Sequence, residues 1–250
     1  TTLLKSGSDP ETFEPGVGAM KALGGSDLLL STGLMPFEQS LTQKSSSRGG
    51  ALRIVSVSEG IDLIHGTHGH EQAGEHRHSD ASGEREELYA DPHIWSSVGN
   101  ARIIAENVFR AICHADTART LYYTANYRTL MVRLDSLEAI WKERLAPVGG
   151  RSFAIRHPAL SYFARDFGLR QVALTDGQKE SSAGGRAQVL DGIRRAHPVV
   201  FFVEQGADPA RAEMAARTVG LNPVEINPMG ADWEGEMSRT VDALAGATPR

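Results

Sequence analysis

The feature that most constrains the fold is a regular alternation of short apolar runs and helical segments in the C-terminal part of the chain. Four runs have the composition of strands: RSFAIR, RQVALT, PVVFFV and PVEI. The segments between them carry apolar residues at helical spacing, and one has the start and stop signals Asp208, Pro209 and Gly220. Strands that alternate with helices form βαβ units, so we expect a parallel sheet. The run PVVFFV is apolar throughout, as in a strand that is covered on both faces.

The N-terminal part shows the same alternation in a weaker form. Helical segments at 16–23 and 36–43 alternate with strand-like runs at 26–32 and 51–57, and a further helix is predicted from about Val98 to Ile112. A long segment without proline or glycine, 117–145, lies between the two parts. One face of that segment is apolar, formed by Tyr123, Tyr127, Leu130, Leu134, Leu137, Trp141 and Leu145.

The long segment is either a core helix of one domain or a bridge between two lobes, and its position between two alternating regions favours the bridge. At 1.5 Å per residue the helix would be about 40 Å long. We therefore predict an α/β protein of two lobes, with mostly parallel sheets flanked by helices and one long linking helix. The predicted divisions are residues 1–115, 116–146 and 147–250.

The overall composition excludes several classes of protein. A net charge of −5 provides no basic surface for nucleic acid. No apolar run approaches the roughly 20 residues of a membrane span. The single cysteine, Cys113, excludes an internal disulfide and a CxxC metal site. No signal peptide is recognisable in TTLLKSGSDP, so export cannot be judged from the sequence itself.

A histidine-rich segment, HGTHGHEQAGEHRHSD at 65–80, contains five of the nine histidines in the chain. Neutral imidazole is a common ligand of transition metals, and such a composition indicates metal binding. A solvated turn of low complexity is the alternative. Composition alone does not decide whether the segment is the metal site or an accessory to one. The histidines are His65, His68, His70, His76 and His78.

Four other polar residues lie where a predicted strand ends or turns into a helix: Glu11, His93, His157 and Asn227. Ligands of open parallel sheets bind outside the carboxyl ends of the strands. Zinc takes about four nitrogen, oxygen or sulfur ligands, and this set could supply them. Each residue alone could equally be an ordinary hydrogen-bonded side chain or part of a turn, and spacing does not prove that the four converge.

Four segments of the chain resemble motifs of the zinc/manganese solute receptors of ABC importers. They are SDPETFEP, DPHIWSSVGNARIIAENV, HPALSYFARDFGL and VEINPMGADWEGEM, in the family's order and over nearly the whole chain. The resemblance implies two α/β lobes, a long linking helix and a metal in the cleft. By position, the ligands implied are Glu11, His93, His157 and Asn227. It also implies a periplasmic or extracytoplasmic receptor, with or without a lipid anchor, that works with an ABC permease and its ATPase subunit.

The chain departs from the family pattern at two ligand positions. The family most often has histidine at the position of Glu11 and often has aspartate at the position of Asn227. Glutamate gives a harder, more anionic site, and asparagine is a weaker donor that water can replace. Glu204 is a second acidic candidate, for which we favour a supporting role. The resemblance also implies a strand and a helix ahead of Thr1 that this sequence does not contain.

Enzyme motifs are missing from the sequence: it has no HExxH, no GxSxG and no P-loop. Together with the resemblance, which implies a metal receptor, this leads us to expect a monomeric, non-enzymatic protein whose cargo is Zn²⁺, with Mn²⁺ as the alternative. Zinc is favoured because the Irving–Williams order places it above manganese at a mixed nitrogen and oxygen site. The histidine-rich segment would collect ions beside the cleft. A metal-storage or metallochaperone protein and a zinc-dependent hydrolase are the remaining alternatives.

Overall fold

The computed structural model describes residues 2–4, 12–46, 52–66, 90–174 and 183–247. Within these ranges the chain forms two α/β regions joined by a long helix, which confirms the predicted fold class. No helix in the described ranges is both long and apolar enough to span a membrane.

The C-terminal lobe is built on a parallel four-stranded sheet. Its strands lie in the order β4 (Arg170–Ala173), β3 (Ser152–Ile155), β5 (Phe201–Glu204) and β6 (Pro223–Ile226). Its strands and helices alternate as the sequence predicts. Asp208 caps α7 by accepting hydrogen bonds from the backbone N–H groups of Ala210 and Arg211. The elements are β3 (Ser152–Ile155), α5 (Ser161–Asp166), β4 (Arg170–Ala173), α6 (Ala183–Arg195), β5 (Phe201–Glu204), α7 (Pro209–Thr218), β6 (Pro223–Ile226) and α8 (Trp233–Gly246).

The N-terminal lobe contains a pair of parallel strands, β1 and β2, in which Leu28 is opposite Arg53 and Ser31 is opposite Ser56. The region from Ala90 to Ser97, which includes a short 3₁₀ turn, leads from this lobe into α3. The elements are α1 (Val17–Gly24), β1 (Leu28–Ser31), α2 (Pro36–Ser46), β2 (Arg53–Ser56) and α3 (Val98–Ala115).

The linking helix α4 (Thr120–Leu145) is 26 residues long, or about 39 Å. Only the second half of its predicted apolar face is fully buried: Leu134, Leu137, Trp141 and Leu145 pack into the core of the C-terminal lobe. Leu130 is 44% exposed, and in this first half of α4 the ring of Tyr127 stacks on Phe109 of α3.

A small third core lies where the two lobes meet, and it is formed by Ile61, Ile94 and Tyr162. Tyr162 belongs to α5 of the C-terminal lobe and is wholly buried. Polar contacts reinforce the junction: Asp166 on α5 accepts a 2.6 Å hydrogen bond from the hydroxyl of Ser97. This junction lies directly beside the candidate site described next.

Candidate metal centre

Two of the four predicted ligands, His93 and His157, meet at the junction of the lobes. Their Nε2 atoms are 3.0 Å apart, and the ring planes are inclined at 73°. His93 is 3% exposed. The two residues are 64 positions apart in the chain: His93 immediately precedes the 3₁₀ turn Ile94–Ser96, and His157 follows the strand β3.

His93 is positioned by a turn that begins at Asp91. The Asp91 carboxylate oxygen Oδ1 accepts hydrogen bonds from the backbone N–H of His93, at 2.9 Å, and lies 2.8 Å from its ring atom Nδ1. Pro92, between them, fixes the backbone. The rings of Trp95 and His93 also form a T-shaped contact, with their centroids 5.3 Å apart. The imidazole is therefore directed with Nε2 toward His157.

The Asp91 carboxyl group is held in its charged form. Burial by itself would raise its pKa, but the hydrogen bonds from the ring and the backbone of His93 hold the pKa below its ordinary value. Asp91 is a functional candidate that the sequence analysis missed. The available signal was an aspartate two residues before a candidate ligand, in the sequence DPH.

His157 follows β3 directly, at the carboxyl end of the sheet. Its backbone N–H donates a 3.0 Å hydrogen bond to Glu204 Oε1, at the end of the adjacent strand β5. The other oxygen of Glu204 accepts a 2.8 Å hydrogen bond from Arg156 Nε. Both carboxylate oxygens of Glu204 thus support the turn that carries His157.

Asn227 follows β6, at the same edge of the sheet as His157. Its side-chain N–H donates a 2.8 Å hydrogen bond to Gln205 Oε1, and its backbone N–H donates to Glu236. Within the described ranges, no hydrogen bond joins Asn227 to either histidine. Because the amide nitrogen is turned to Gln205, the carbonyl oxygen of Asn227 is the atom left to serve as a metal ligand.

Of the remaining predicted site residues, the structure describes only His65. Glu11, His68, His70, His76 and His78 are outside the described residues. His65 forms an antiparallel bridge with Ala90, and the N–H of Asp91 donates to the carbonyl of Ile64 at 2.8 Å. The first residue of the histidine-rich segment, His65, is therefore paired with Ala90, directly beside Asp91.

The pair of histidines is close to the geometry that a bound zinc ion requires. Zn–N bonds of 2.0–2.1 Å in a tetrahedron place two nitrogens about 3.3–3.4 Å apart. A separation of 3.0 Å therefore needs an opening of only a few tenths of an ångström. Among the described residues, no group of three or more His, Cys, Asp or Glu side chains is placed to hold a metal ion. The pair supplies two nitrogen ligands, and further ligands must come from elsewhere.

Comparison with known proteins gives a consistent result. The model of the family described as zinc-uptake complex component A, periplasmic, matches residues 1–247. A protein of Treponema pallidum (strain Nichols) described as a putative metal-binding protein is 27% identical over 237 residues, which cover 93% of this chain and 73% of that protein.

The zinc-binding protein AdcA of Streptococcus pyogenes serotype M3 is 25% identical over 252 residues. The match covers 96% of this chain, which spans about half (48%) of that relative's length. Among solved structures, a crystal structure of ZnuA superimposes with a TM-score of 0.83 at 25% identity, covering 100% of this chain and 90% of the other.

Proposed function

Since the chain belongs to the family of periplasmic component A proteins of zinc-uptake complexes, we propose that it is an extracytoplasmic receptor that captures one divalent transition metal ion in the cleft between its lobes. The contact between His93 and His157 carries this proposal. Two imidazoles from different lobes, the buried His93 and the partly buried His157, place their Nε2 atoms 3.0 Å apart. Imidazole Nε2 is the common protein ligand for zinc.

The proposed ligands are Glu11, His93, His157 and Asn227, with water able to replace Asn227. His93 belongs to the proposed lobe 1–115, and the proposed lobe 147–250 carries His157 and Asn227. The proposed linking segment, 116–146, contributes none. An ion bound by this set is held by both lobes, so that its capture and release depend on their relative position.

Zinc is the cargo that this set of ligands fits best, with manganese as the alternative. Zinc binds a mixed nitrogen and oxygen site more tightly than manganese does. A site that selects manganese must disfavour zinc by geometry, and manganese suits oxygen-rich, octahedral sites. Two imidazoles and two oxygen donors are too few ligands to impose six-fold coordination from the protein alone.

The receptor delivers its cargo to an ABC permease, whose ATPase subunit powers import. The family description, which places these proteins in an uptake complex, supports a membrane partner of this kind. We propose that the receptor acts as a monomer in the periplasm or an equivalent extracytoplasmic space, and that the histidine-rich segment collects ions beside the cleft.

A zinc-dependent hydrolase is the main enzymatic alternative, with Glu204 as its general base. Such a base must be able to accept a proton from a metal-bound water. Both carboxylate oxygens of Glu204 instead accept hydrogen bonds, from His157 N–H and Arg156. This arrangement favours a binding protein. A metal-dependent rise in the hydrolysis of model esters or phosphates would favour the enzyme, and retention of metal without transfer to a permease would favour a storage protein.

Calorimetric titration with zinc tests the proposed site. We expect His93→Ala and His157→Ala each to abolish tight binding of one equivalent, because each removes half of the nitrogen ligands. Glu11→Ala should weaken binding less, since water can take the place of a carboxylate. His114→Ala is the matched control, because His114 is an exposed histidine at the end of α3. Tight binding of one equivalent by both cleft variants would show that the site is assigned wrongly.

The identity of the cargo is best tested in cells. Loss of the protein should impair growth under zinc chelation, and added zinc should restore it. Restoration by manganese but not by zinc would assign the receptor to manganese.

A further inference from the structure

The turn that orients His93 is anchored to the opposite lobe. Asp91, whose carboxylate contacts the His93 ring at 2.8 Å, lies beside Ser161, the first residue of α5. Ser161 Oγ accepts a 2.8 Å hydrogen bond from the side-chain amide of Gln171 on β4.

A second connection fixes the backbone of Asp91. The hydroxyl of Tyr162 donates a 2.7 Å hydrogen bond to the Asp91 carbonyl, and it accepts a hydrogen bond from the N–H of Ile64 at 3.2 Å. Asp91 is therefore held at its carbonyl by Tyr162, and it lies beside Ser161, the preceding residue of the same short helix. His157 also depends on the C-terminal lobe, because it follows β3 and is bonded to Glu204 on β5.

The contact with Asp91 determines which ring nitrogen of His93 is free. An ionised carboxylate can only accept hydrogen bonds, so the proton must be on His93 Nδ1. In a neutral imidazole the lone pair is then on Nε2, the atom that faces His157. His157 then donates from Nε2 across the 3.0 Å contact in the metal-free protein, and when an ion binds at Nε2 the ring takes the tautomer with its proton on Nδ1.

We propose that Asp91 is a positioning residue for metal capture, which locks His93 with its proton on Nδ1 and ties the turn that carries it to the C-terminal lobe through Tyr162. This inference rests on the proposed function. Its consequence is that the two imidazoles are arranged as a pair before the ion arrives. Side chains that orient histidine ligands in this way typically contribute 10- to 100-fold to metal affinity.

The first test compares zinc affinities of variants. Asp91→Ala should lower affinity about 10- to 100-fold, and Tyr162→Phe should lower it less, because Asp91 then keeps its contact with the His93 ring and loses only the hydrogen bond to its carbonyl. Asp166→Ala is the matched control. Asp166 is also on α5 and also bonds across the lobes, to Ser97 and Gly99, but it does not contact His93. The zinc affinity of Asp166→Ala should stay within about threefold of the wild type. That change is much smaller than the loss expected when a residue that orients a histidine ligand is removed.

The second test is nitrogen NMR of the His93 ring in the metal-free protein at neutral pH, a readout that general destabilisation does not move. The wild type should show a protonated Nδ1 and a bare Nε2, and Asp91→Asn should reduce this preference. A wild-type His93 with the proton on Nε2 would overturn the proposal even if the Asp91 variants failed to fold. So would an affinity loss in Asp91→Ala no larger than that in Asp166→Ala.

These outcomes are separable from those of the proposed function. If His93→Ala and His157→Ala keep tight zinc binding, the site itself is wrong, whatever the tautomer of His93. If those variants lose binding while the Asp91 variants keep the zinc affinity and the His93 tautomer of the wild type, the site stands and the positioning role of Asp91 is refuted.

Discussion

At the scale of single residues, the junction of the lobes depends on side chains that each serve more than one partner. Tyr162 is the clearest case, because one wholly buried hydroxyl bonds to Asp91 and Ile64, on either side of the histidine-rich segment. Burial is the main reason that the pKa of Tyr162 rises to about 12. The guanidinium group of Arg165 lies 5.0 Å from the centre of the Tyr162 ring.

Replacing Tyr162 by phenylalanine should destabilise the protein by about 1–3 kcal/mol, because the N–H of Ile64 and the carbonyl of Asp91 lose their common partner in a buried setting. Urea unfolding at pH 7 measures this change. The wild type should also lose stability as pH rises from 10 to about 12, because the unfolded phenol ionises first and the folded one resists. Tyr162→Phe should lack that loss. This account would be contradicted if the wild type and Tyr162→Phe had identical unfolding curves at pH 7 and also lost the same stability between pH 10 and about 12.

At the scale of elements, the sequence predicts that helix α5 exists but not where it begins. The sequence predicts a helix in PALSYFARDF, but the helix is confined to Ser161–Asp166. The three preceding residues form a turn in which Ala159 N–H bonds to the His157 carbonyl and Leu160 N–H bonds to Gln171. Helical periodicity cannot reveal this turn, because its partner is a side chain on the next strand.

Strands and helices were predictable because local apolar periodicity determines them, and the site was predictable only in part. The sequence singled out His93 and His157, which the structure brings together, because one precedes a predicted helix beside a proline and the other follows a predicted strand. Asp91 was missed because an aspartate before proline is most often part of a turn, and its contact with the His93 ring and with Tyr162 is visible only in the folded chain. Likewise Leu130 has the spacing of a core residue, yet the lobe that buries Leu134 does not extend to it.

The histidine-rich segment should be separable from the tight site. Deleting residues 67–78 keeps His65 and Ala90 paired and leaves the turn at Asp91 unchanged. Calorimetry on this variant should show loss of the weak binding of several ions, with one tight equivalent retained. Loss of the tight equivalent would mean that the segment itself supplies ligands to the cleft.

At the scale of the whole molecule, the two lobes are joined by more than a flexible linker. The 26-residue helix α4 connects them, and direct bonds cross the junction beside the site. These bonds include Trp233 Nε1 to the Trp95 carbonyl at 2.7 Å and Arg165 to the Asp62 carbonyl at 2.7 Å. Wide hinge closure would require all of them to break, whereas a small tilt would not.

Small-angle scattering should therefore show no large compaction when zinc is added to the metal-free protein. The variant that lacks residues 67–78 is the control, because it removes any change in the histidine-rich segment from the measurement. A substantial fall in the radius of gyration of both proteins would refute the prediction and would indicate hinge closure.

The central claim is that the ion lies between the two imidazoles at the junction of the lobes. A crystal structure of the zinc-loaded protein, with anomalous maps from data on both sides of the zinc absorption edge, tests it most directly. The account predicts one strong peak about 2.0–2.1 Å from Nε2 of both His93 and His157, with the two nitrogens separated to about 3.3–3.4 Å. Strong zinc peaks only on histidines of the segment 65–80, with none between His93 and His157, would contradict it.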